Sequence, residues 1–248
     1  MYDAYNLYKN FLMPPFEIDK FLTRLLNKMA YLYPKLDHFI YLVAENNLLK
    51  GGIVLTLFYF IWFDNTSFTM RKNRKRLIIT MMAAFVAEIT TILLSLTLPF
   101  RARPYTKLDM NFNIPVEIDH WWNKDISSFP SDHATLFIVL GYGIYKCNRK
   151  LGWIILSYII LFILLPRIYL GLHFTSDILG GILVGVIVMY FTFKLKLIQK
   201  IAEMVLDFSE KKPYFFYPIM FLIAYQLVDL FTETREIIGY LRHPLGKD

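Results

Sequence analysis

The sequence predicts an all-α, polytopic membrane bundle of about six transmembrane helices, preceded by an interfacial amphipathic helix. Three observations carry this. Hydrophobic residues make up 56% of the 248 and charged residues only 19%, outside the usual range of a soluble domain, and mean hydropathy is positive at +0.42. Six apolar runs approach the roughly 20 residues that a helix needs to cross a hydrocarbon core about 30 Å thick. Tyr, Trp and Phe gather near their ends, as interfacial anchors do, and none alternates polar and apolar residues like a barrel strand. An aromatic content of 17% argues against a disordered chain, and a single cysteine, Cys147, excludes an internal disulfide framework.

Residues 1–46 read as an N-terminal interfacial segment. Residues 1–11 lack an apolar core preceded by basic residues, so they are not expected to be a cleaved leader. Residues 16–32 are amphipathic: Ile18, Phe21, Leu22, Leu25 and Met29 share one face, and Glu17, Lys20, Arg24 and Lys28 another. Such a helix lies in the interface plane, with packing rather than catalysis as its expected role. Residues 47–231 hold the spans, at 47–64, 77–99, 131–147, 151–168, 176–196 and 214–231, and residues 232–248 form a polar tail.

Between the first two spans, Arg71, Lys72, Arg74, Lys75 and Arg76 mark the cytoplasmic side. By parity Arg149-Lys150 and the tract holding Lys194, Lys196, Lys200, Lys211 and Lys212 fall there too. Membrane orientation accounts for the basic residues, so no nucleic-acid partner is expected. The connection 100–130, the turn 169–175 and both chain ends then face outward.

Three polar clusters far apart in sequence fall at this outer level: Arg101-Ala-Arg103-Pro104, Pro130-Ser131-Asp132-His133, and Arg167 through His173 to Asp177. Ser131 or Asp132 caps the third span, and a helix N-terminus with its free N–H groups and positive dipole end favours phosphate. His133 sits in that first turn. Asp177 follows His173 by four residues, so its carboxylate is expected to reach one ring nitrogen and leave the other free to attack. Arg103 and Arg167 offer planar donor forks to phosphate oxygens. Singly these residues have plainer readings, Arg101 and Arg103 as interfacial anchors and Ser131-Asp132 as a cap alone. Their conjunction on one face is hard to attribute to chance.

The clusters resemble the type-2 phosphatidic acid phosphatase (PAP2) superfamily, whose signature is Lys-x6-Arg-Pro, Pro-Ser-x-His and Ser-Arg-x5-His-x3-Asp. Arg103-Pro104, Pro130-Ser131-Asp132-His133 and Arg167-x5-His173-x3-Asp177 match it. Asp132, Leu36-Asp37 and Gly180-Gly181 look most like the bacterial branch acting on undecaprenyl pyrophosphate. Two positions depart: Leu96 stands where the motif has lysine, and Pro166 where it has serine. Arg101, Lys107 or Lys124 are candidates to restore the missing charge.

The resemblance implies His173 as nucleophile forming a phosphohistidine, Asp177 orienting its ring, and His133 protonating the leaving group and then activating water. It implies Arg101, Arg103, Ser131, Asp132 and Arg167 around the phosphoryl oxygens, with no cofactor and no metal. Tyr105, Trp121, Trp122 and Phe129 border the expected entrance for a lipid whose tail stays in the bilayer. The expected location is a bacterial plasma membrane, with the site on its outer face. Two other functions stand beside the lipid phosphatase. One is a phosphotransferase handing the same phosphoryl group to another acceptor; the other is a non-catalytic lipid-phosphate binding or transport protein, an idea fed by Leu96.

Overall fold

The computed structural model describes residues 13–66, 68–106, 112–113, 115 and 127–230. Residues 1–11, the tail 232–248, Lys107, Lys124, Trp121 and Trp122 lie outside the described residues. Every regular element among the described residues is helical. Helices α1 (Glu17–Asn27) and α2 (Pro34–Glu45) precede α3 (Leu48–Phe63), which opens on a π turn at Leu48–Gly52 and is bent 63° from α2. Then follow α4 (Met70–Thr97), α5 (Asp132–Cys147), α6 (Arg149–Tyr169), α7 (Thr175–Lys194), α8 (Lys196–Lys211) and α9 (Pro213–Val228).

Among the described residues, each of the six predicted spans is largely helical. By length and apolar composition, however, α4, α6 and α7 can cross a membrane, and the bent pair α2 and α3 makes a fourth if it counts as one span. The expected six is therefore not reached by this measure. α9 is apolar but short, and α5 has only 16 residues. The reason for α5 lies in packing: it is the inner helix, set against α4, α6 and α7, with most of its side chains turned to protein rather than lipid.

Glycine sets how closely α5 and α7 approach. A Cβ on Gly181 would lie 2.4 Å from the Ser131 carbonyl oxygen, and one on Gly185 would lie 2.9 Å from that of Thr135. Both contacts are with backbone, which cannot rotate away, so Gly181-x3-Gly185 is a seam that larger residues would force open. Thr135 Oγ1 bridges it, donating to the Gly181 carbonyl at 3.1 Å or to that of Ser131 at 3.0 Å. The first turns of α5 and α7 are thereby held side by side.

At the opposite end of the bundle, the basic stretch belongs to α4 itself, whose first turn begins at Met70. Arg71 pairs with Glu203 at 2.9 Å, Asp207 at 2.6 Å and Glu210, and Lys75 pairs with Glu203 at 2.8 Å. The tract expected as a basic connection is α8, and Glu203, Asp207 and Glu210, three to four residues apart, form its side toward α4. Helix α1 is built in the opposite sense to an ordinary surface helix. Its buried positions are the polar Asp19, Thr23 and Asn27, while Ile18, Phe21, Leu25 and Met29 are exposed. The apolar face is free for lipid, and the polar stripe packs against the protein.

Candidate active site

The chain leaves α4 through Leu98 and Pro99 and runs extended past Arg101 and Arg103 beneath the N-termini of α5 and α7. Ser131 caps α5, its hydroxyl accepting the Ala134 N–H at 3.4 Å. Ser131 N–H in turn donates to the Asp177 carbonyl at 3.1 Å, tying the two helix starts together. The structure thus gathers all three polar clusters at one end of the bundle.

His173 is 3% exposed. Its Nδ1 lies 2.9 Å from the carbonyl oxygen of Ser128. A carbonyl can only accept, so Nδ1 carries the hydrogen and Nε2 keeps its lone pair. That Nε2 is 3.4 Å from the Arg103 guanidinium, which donates to the Leu172 carbonyl at 2.9 Å. Burial, reinforced by the positive charge of Arg103, holds His173 well below the usual imidazole range, and it stays neutral.

The expected hydrogen bond from His173 to Asp177 is not formed. Nδ1 and the carboxylate are 3.9 Å apart, too far for a hydrogen bond, and Ser128 takes that place. Asp177 is occupied otherwise: one oxygen accepts the Phe174 N–H at 2.7 Å at the start of α7, and the other accepts from Arg101 at 2.5 Å. Arg101 does not face the phosphate position either. It is fully buried, donating to Asp177, to Ser176 Oγ at 2.7 Å and to Asp19 at 2.6 Å, with Phe174 stacked 4.8 Å from its guanidinium carbon. Two carboxylates consume its charge, so it works as an internal brace.

His133 is held by its neighbour. Asp132 Oδ1 accepts the His133 N–H at 2.7 Å and lies 2.9 Å from Nδ1. This directs Nε2 toward Arg167, whose guanidinium contacts it while also donating to Glu45 at 3.1 Å. Arg167 Nε is buried and meets no acceptor among the described residues. It is a donor left over on the arginine that contacts His133, available to an anion; the Nε of Arg101 is likewise buried without an acceptor, but within its carboxylate brace. Leu96, where the motif lysine would stand, is 76% exposed on the outer side of α4 and contributes nothing here.

The sequence reading missed Asp19, Ser176, Glu45 and the Ser128 carbonyl. Asp19 accepts the Ser176 N–H at 2.9 Å and its hydroxyl at 2.7 Å as well as Arg101. Burial alone would raise its pKa, but the Ser176 donors and Arg101 outweigh it and hold the carboxyl below the usual carboxylate range. Its signal was available, because Asp19, Thr23 and Asn27 recur every four residues through an otherwise lipid-facing helix. A backbone carbonyl such as that of Ser128 leaves no such mark.

The chain is similar to several known proteins. The bacitracin transport permease protein BcrC of Bacillus licheniformis is 32% identical over 178 residues, covering 71% of this chain and 78% of the relative. The undecaprenyl-diphosphatase BcrC of Bacillus subtilis is 26% identical over 190 residues, covering 72% and 88%. The crystal structure of Aquifex aeolicus LpxE shares the fold with a TM-score of 0.54 at 23% identity, covering 74% of this chain and 99% of that one. The PAP2 superfamily model matches residues 76–200, which take in all three polar clusters. With that match over half its length, and a relative at 32% identity over most of both chains, this membrane protein belongs to the PAP2 superfamily.

Proposed function

We propose that the chain is a membrane lipid phosphatase that removes the terminal phosphate of a polyprenyl diphosphate through a phosphohistidine. One observation carries the reading: a neutral, buried His173 presents the lone pair of Nε2 beside Arg103, in the same polar cluster as His133. The relatives named for undecaprenyl-diphosphatase and bacitracin resistance support the diphosphate.

In the first step Nε2 of His173 attacks phosphorus, the P–O bond to the leaving group breaks, and His133 protonates the departing oxygen. The proton on Nδ1 stays against the Ser128 carbonyl, which disperses the positive charge that develops on the ring. In the second step His133 takes a proton from water, the hydroxide attacks phosphorus, the P–N bond breaks and inorganic phosphate leaves. Arg103, Arg167 with its free Nε, and the first N–H groups of α5 hold the phosphoryl oxygens. Arg167 turns from His133 toward the bound anion, releasing Nε2 for proton transfer. Asp132 fixes the His133 tautomer, and Asp177 acts through Arg101 and the cap of α7.

The cluster lies at the end of the bundle opposite the basic first turn of α4, which supports a plasma-membrane protein with its site on the outer face. A lipid there keeps its tail in the bilayer while its headgroup reaches the polar level. On this reading residues 47–231 form the catalytic unit, residues 1–46 are its N-terminal interfacial segment, from which Asp19 reaches Arg101, and residues 232–248 are a polar tail.

The test is phosphate release by detergent-purified protein from undecaprenyl diphosphate, undecaprenyl phosphate, phosphatidic acid and phosphatidylglycerol phosphate, with a chelator present. Release from the diphosphate, absent in His173→Ala, is the expected result. Release only from other lipids, or equal release by the variant, overturns the reading.

A further inference from the structure

At the end of the bundle opposite the phosphate cluster, the basic residues of α4 have different fates. Arg71 and Lys75 are matched by Glu203, Asp207 and Glu210 of α8, and Arg74 donates to the Trp62 carbonyl at 2.8 Å. Arg76 faces α5 instead, where it lines a cavity of about 390 Å³ together with Tyr145, Lys146, Cys147 and Arg149. No acidic side chain lines this cavity. Among the described residues, none of Arg76, Lys146 and Arg149 forms an ion pair.

Close approaches between helices fix the walls. A Cβ on Gly152, in the first turns of α6, would fall 2.2 Å from Tyr145 Cα, so α6 starts in contact with the last turn of α5. One on Gly143 would fall 2.3 Å from Thr80 Cγ2, which sets α4 equally close to the same stretch of α5. Asn73 ties α4 to both lining groups: its side-chain oxygen accepts from Arg76 at 3.3 Å and its carbonyl from the Cys147 thiol at 3.7 Å. The Lys146 ammonium lies 5.2 Å from the centre of the Tyr142 ring and 5.9 Å from that of Phe193. Arg149 opens α6 behind its cap, Asn148, whose side chain accepts the Leu151 N–H at 3.1 Å. An amide oxygen and two ring faces hold cations in place without neutralising them, so three positive charges surround one cavity, an arrangement that an anion relieves.

The surroundings favour an anion that carries apolar chains. Tyr145 meets the Trp153 ring edge-on at 5.6 Å, and Trp153 and Ile154 are each 63% exposed. The basic wall therefore continues into an apolar face of α6, a helix long and apolar enough to cross a membrane. A phosphate bearing acyl chains satisfies both surfaces, whereas inorganic phosphate satisfies only the first. We propose that this cavity binds the phosphate-bearing headgroup of an anionic phospholipid, in the leaflet opposite the active site. Arg76 and Arg149 present planar forks to its oxygens and Lys146 a point charge. Basic pockets between membrane helices take such headgroups on the cytoplasmic side, which is where the orientation proposed above puts this one. The site is separate from the reacting groups, because the 16 residues of α5, about 24 Å of helix, lie between Cys147 and Ser131.

The protein in detergent is titrated with phosphatidylglycerol or phosphatidylcholine, and binding is read as lipid adducts in native mass spectra and as a rise in melting temperature. Phosphatidylglycerol is expected to bind and phosphatidylcholine to bind far more weakly. The triple variant Arg76→Gln, Lys146→Gln, Arg149→Gln loses three charge-assisted contacts and should bind phosphatidylglycerol about 100-fold more weakly or worse. A control, Lys72→Gln with Lys150→Gln, removes two exposed cations that do not line the cavity and should weaken binding less than about threefold at 0.15 M salt. Without lipid the triple variant should melt no lower than wild type and release phosphate at the same rate. Should it melt lower, Arg149→Gln at an exposed position repeats the comparison, with an expected loss of about tenfold.

Equal phosphatidylglycerol binding by wild type and the cavity variants overturns the proposal, as does an equal loss in the control or equal binding of the two lipids by wild type. Inorganic phosphate distinguishes the source of the anion. Any melting shift it causes should be the same in wild type and the triple variant, since it would arise at the phosphate cluster. A phosphate shift that disappears with the three cations would mark a site for free anions and overturn the lipid assignment.

Discussion

Asp19 in the first helix lies 2.6 Å from Arg101, and Arg101 lies 2.5 Å from Asp177, so a residue far upstream of the family region is one link from the start of α7. Asp19 also accepts both donors of Ser176, three residues after His173. It touches none of the reacting groups and is a positioning residue. Asp19→Asn is expected to lower kcat about tenfold or more with a smaller change in KM, because a shift of about 1 Å in the His173 turn costs rate before binding. Asp19→Ala, which leaves half of a buried pair behind, should cost about 3–5 kcal/mol of stability. Steady-state kinetics and thermal unfolding in detergent separate the two effects.

The same carboxylate sets an acid limit on the fold. Its folded pKa lies below the ordinary carboxylate value, so ionised Asp19 contributes stability that is fully present above about pH 4, the unfolded value. That contribution is lost as pH falls through the lower, folded value. Wild type should therefore lose melting temperature more steeply than Asp19→Asn on acidification below about pH 4. Parallel curves would show that Asp19 carries no such linkage.

His173 should remain neutral well below the ordinary imidazole pKa of about 6.5, with its hydrogen on Nδ1. Nitrogen-15 spectra of histidine-labelled protein, assigned by loss of one signal in His173→Ala, report both the tautomer and the midpoint. A hydrogen on Nε2, or a midpoint near 6.5, would contradict the Ser128 contact and the burial that set this state.

The fold class and the candidate residues at the heart of the site were legible because each leaves a local mark. Apolar runs announce helices, Ser131 announces a helix start, and the spacing from Arg167 through His173 to Asp177 places three side chains on the end of one helix, the turn after it and the start of the next. What was not legible depends on tertiary contact. Arg101 and Arg103 look alike in sequence, yet one is neutralised by Asp19 and Asp177 while the other faces His173. The role expected of Asp177 fell to the Ser128 carbonyl because a loop distant in sequence delivers an acceptor nearer to the ring. Length and composition alone pick out fewer spans for a similar reason, since α5 is wrapped by neighbouring helices and need not be long enough to meet lipid throughout.

Gly181→Ala tests the seam between α5 and α7. The added methyl would sit 2.4 Å from the Ser131 carbonyl, so the helices must part, at an expected cost of about 1–3 kcal/mol. Ser131 and His133 ride on one side of the seam and Asp177 on the other, so activity should fall further than stability alone explains. Gly52→Ala is the contrast, because its Cβ would meet the Leu48 side-chain end at 2.8 Å, which can rotate away. Melting temperature and phosphate release for the two variants, measured side by side, decide whether backbone contact is what matters.

Leu96→Lys restores the residue that the family motif has in place of leucine, and it is expected not to raise kcat/KM. Position 96 is 76% exposed, and Ile89, Ile92 and Leu93 on the same helix are also exposed, so the side chain leaves the bundle rather than entering the cluster. The lysine should be tolerated, because near the C-terminal end of α4 its ammonium can reach the interface and meets the negative end of the helix dipole. Inactivity through misfolding is thus not the expected outcome, and a near-normal melting temperature checks it. A rise in diphosphate hydrolysis would mean that position 96 turns toward the phosphate when substrate binds. An unchanged rate would leave the positive charge of the site with Arg103, Arg167 and the third span's N-terminus.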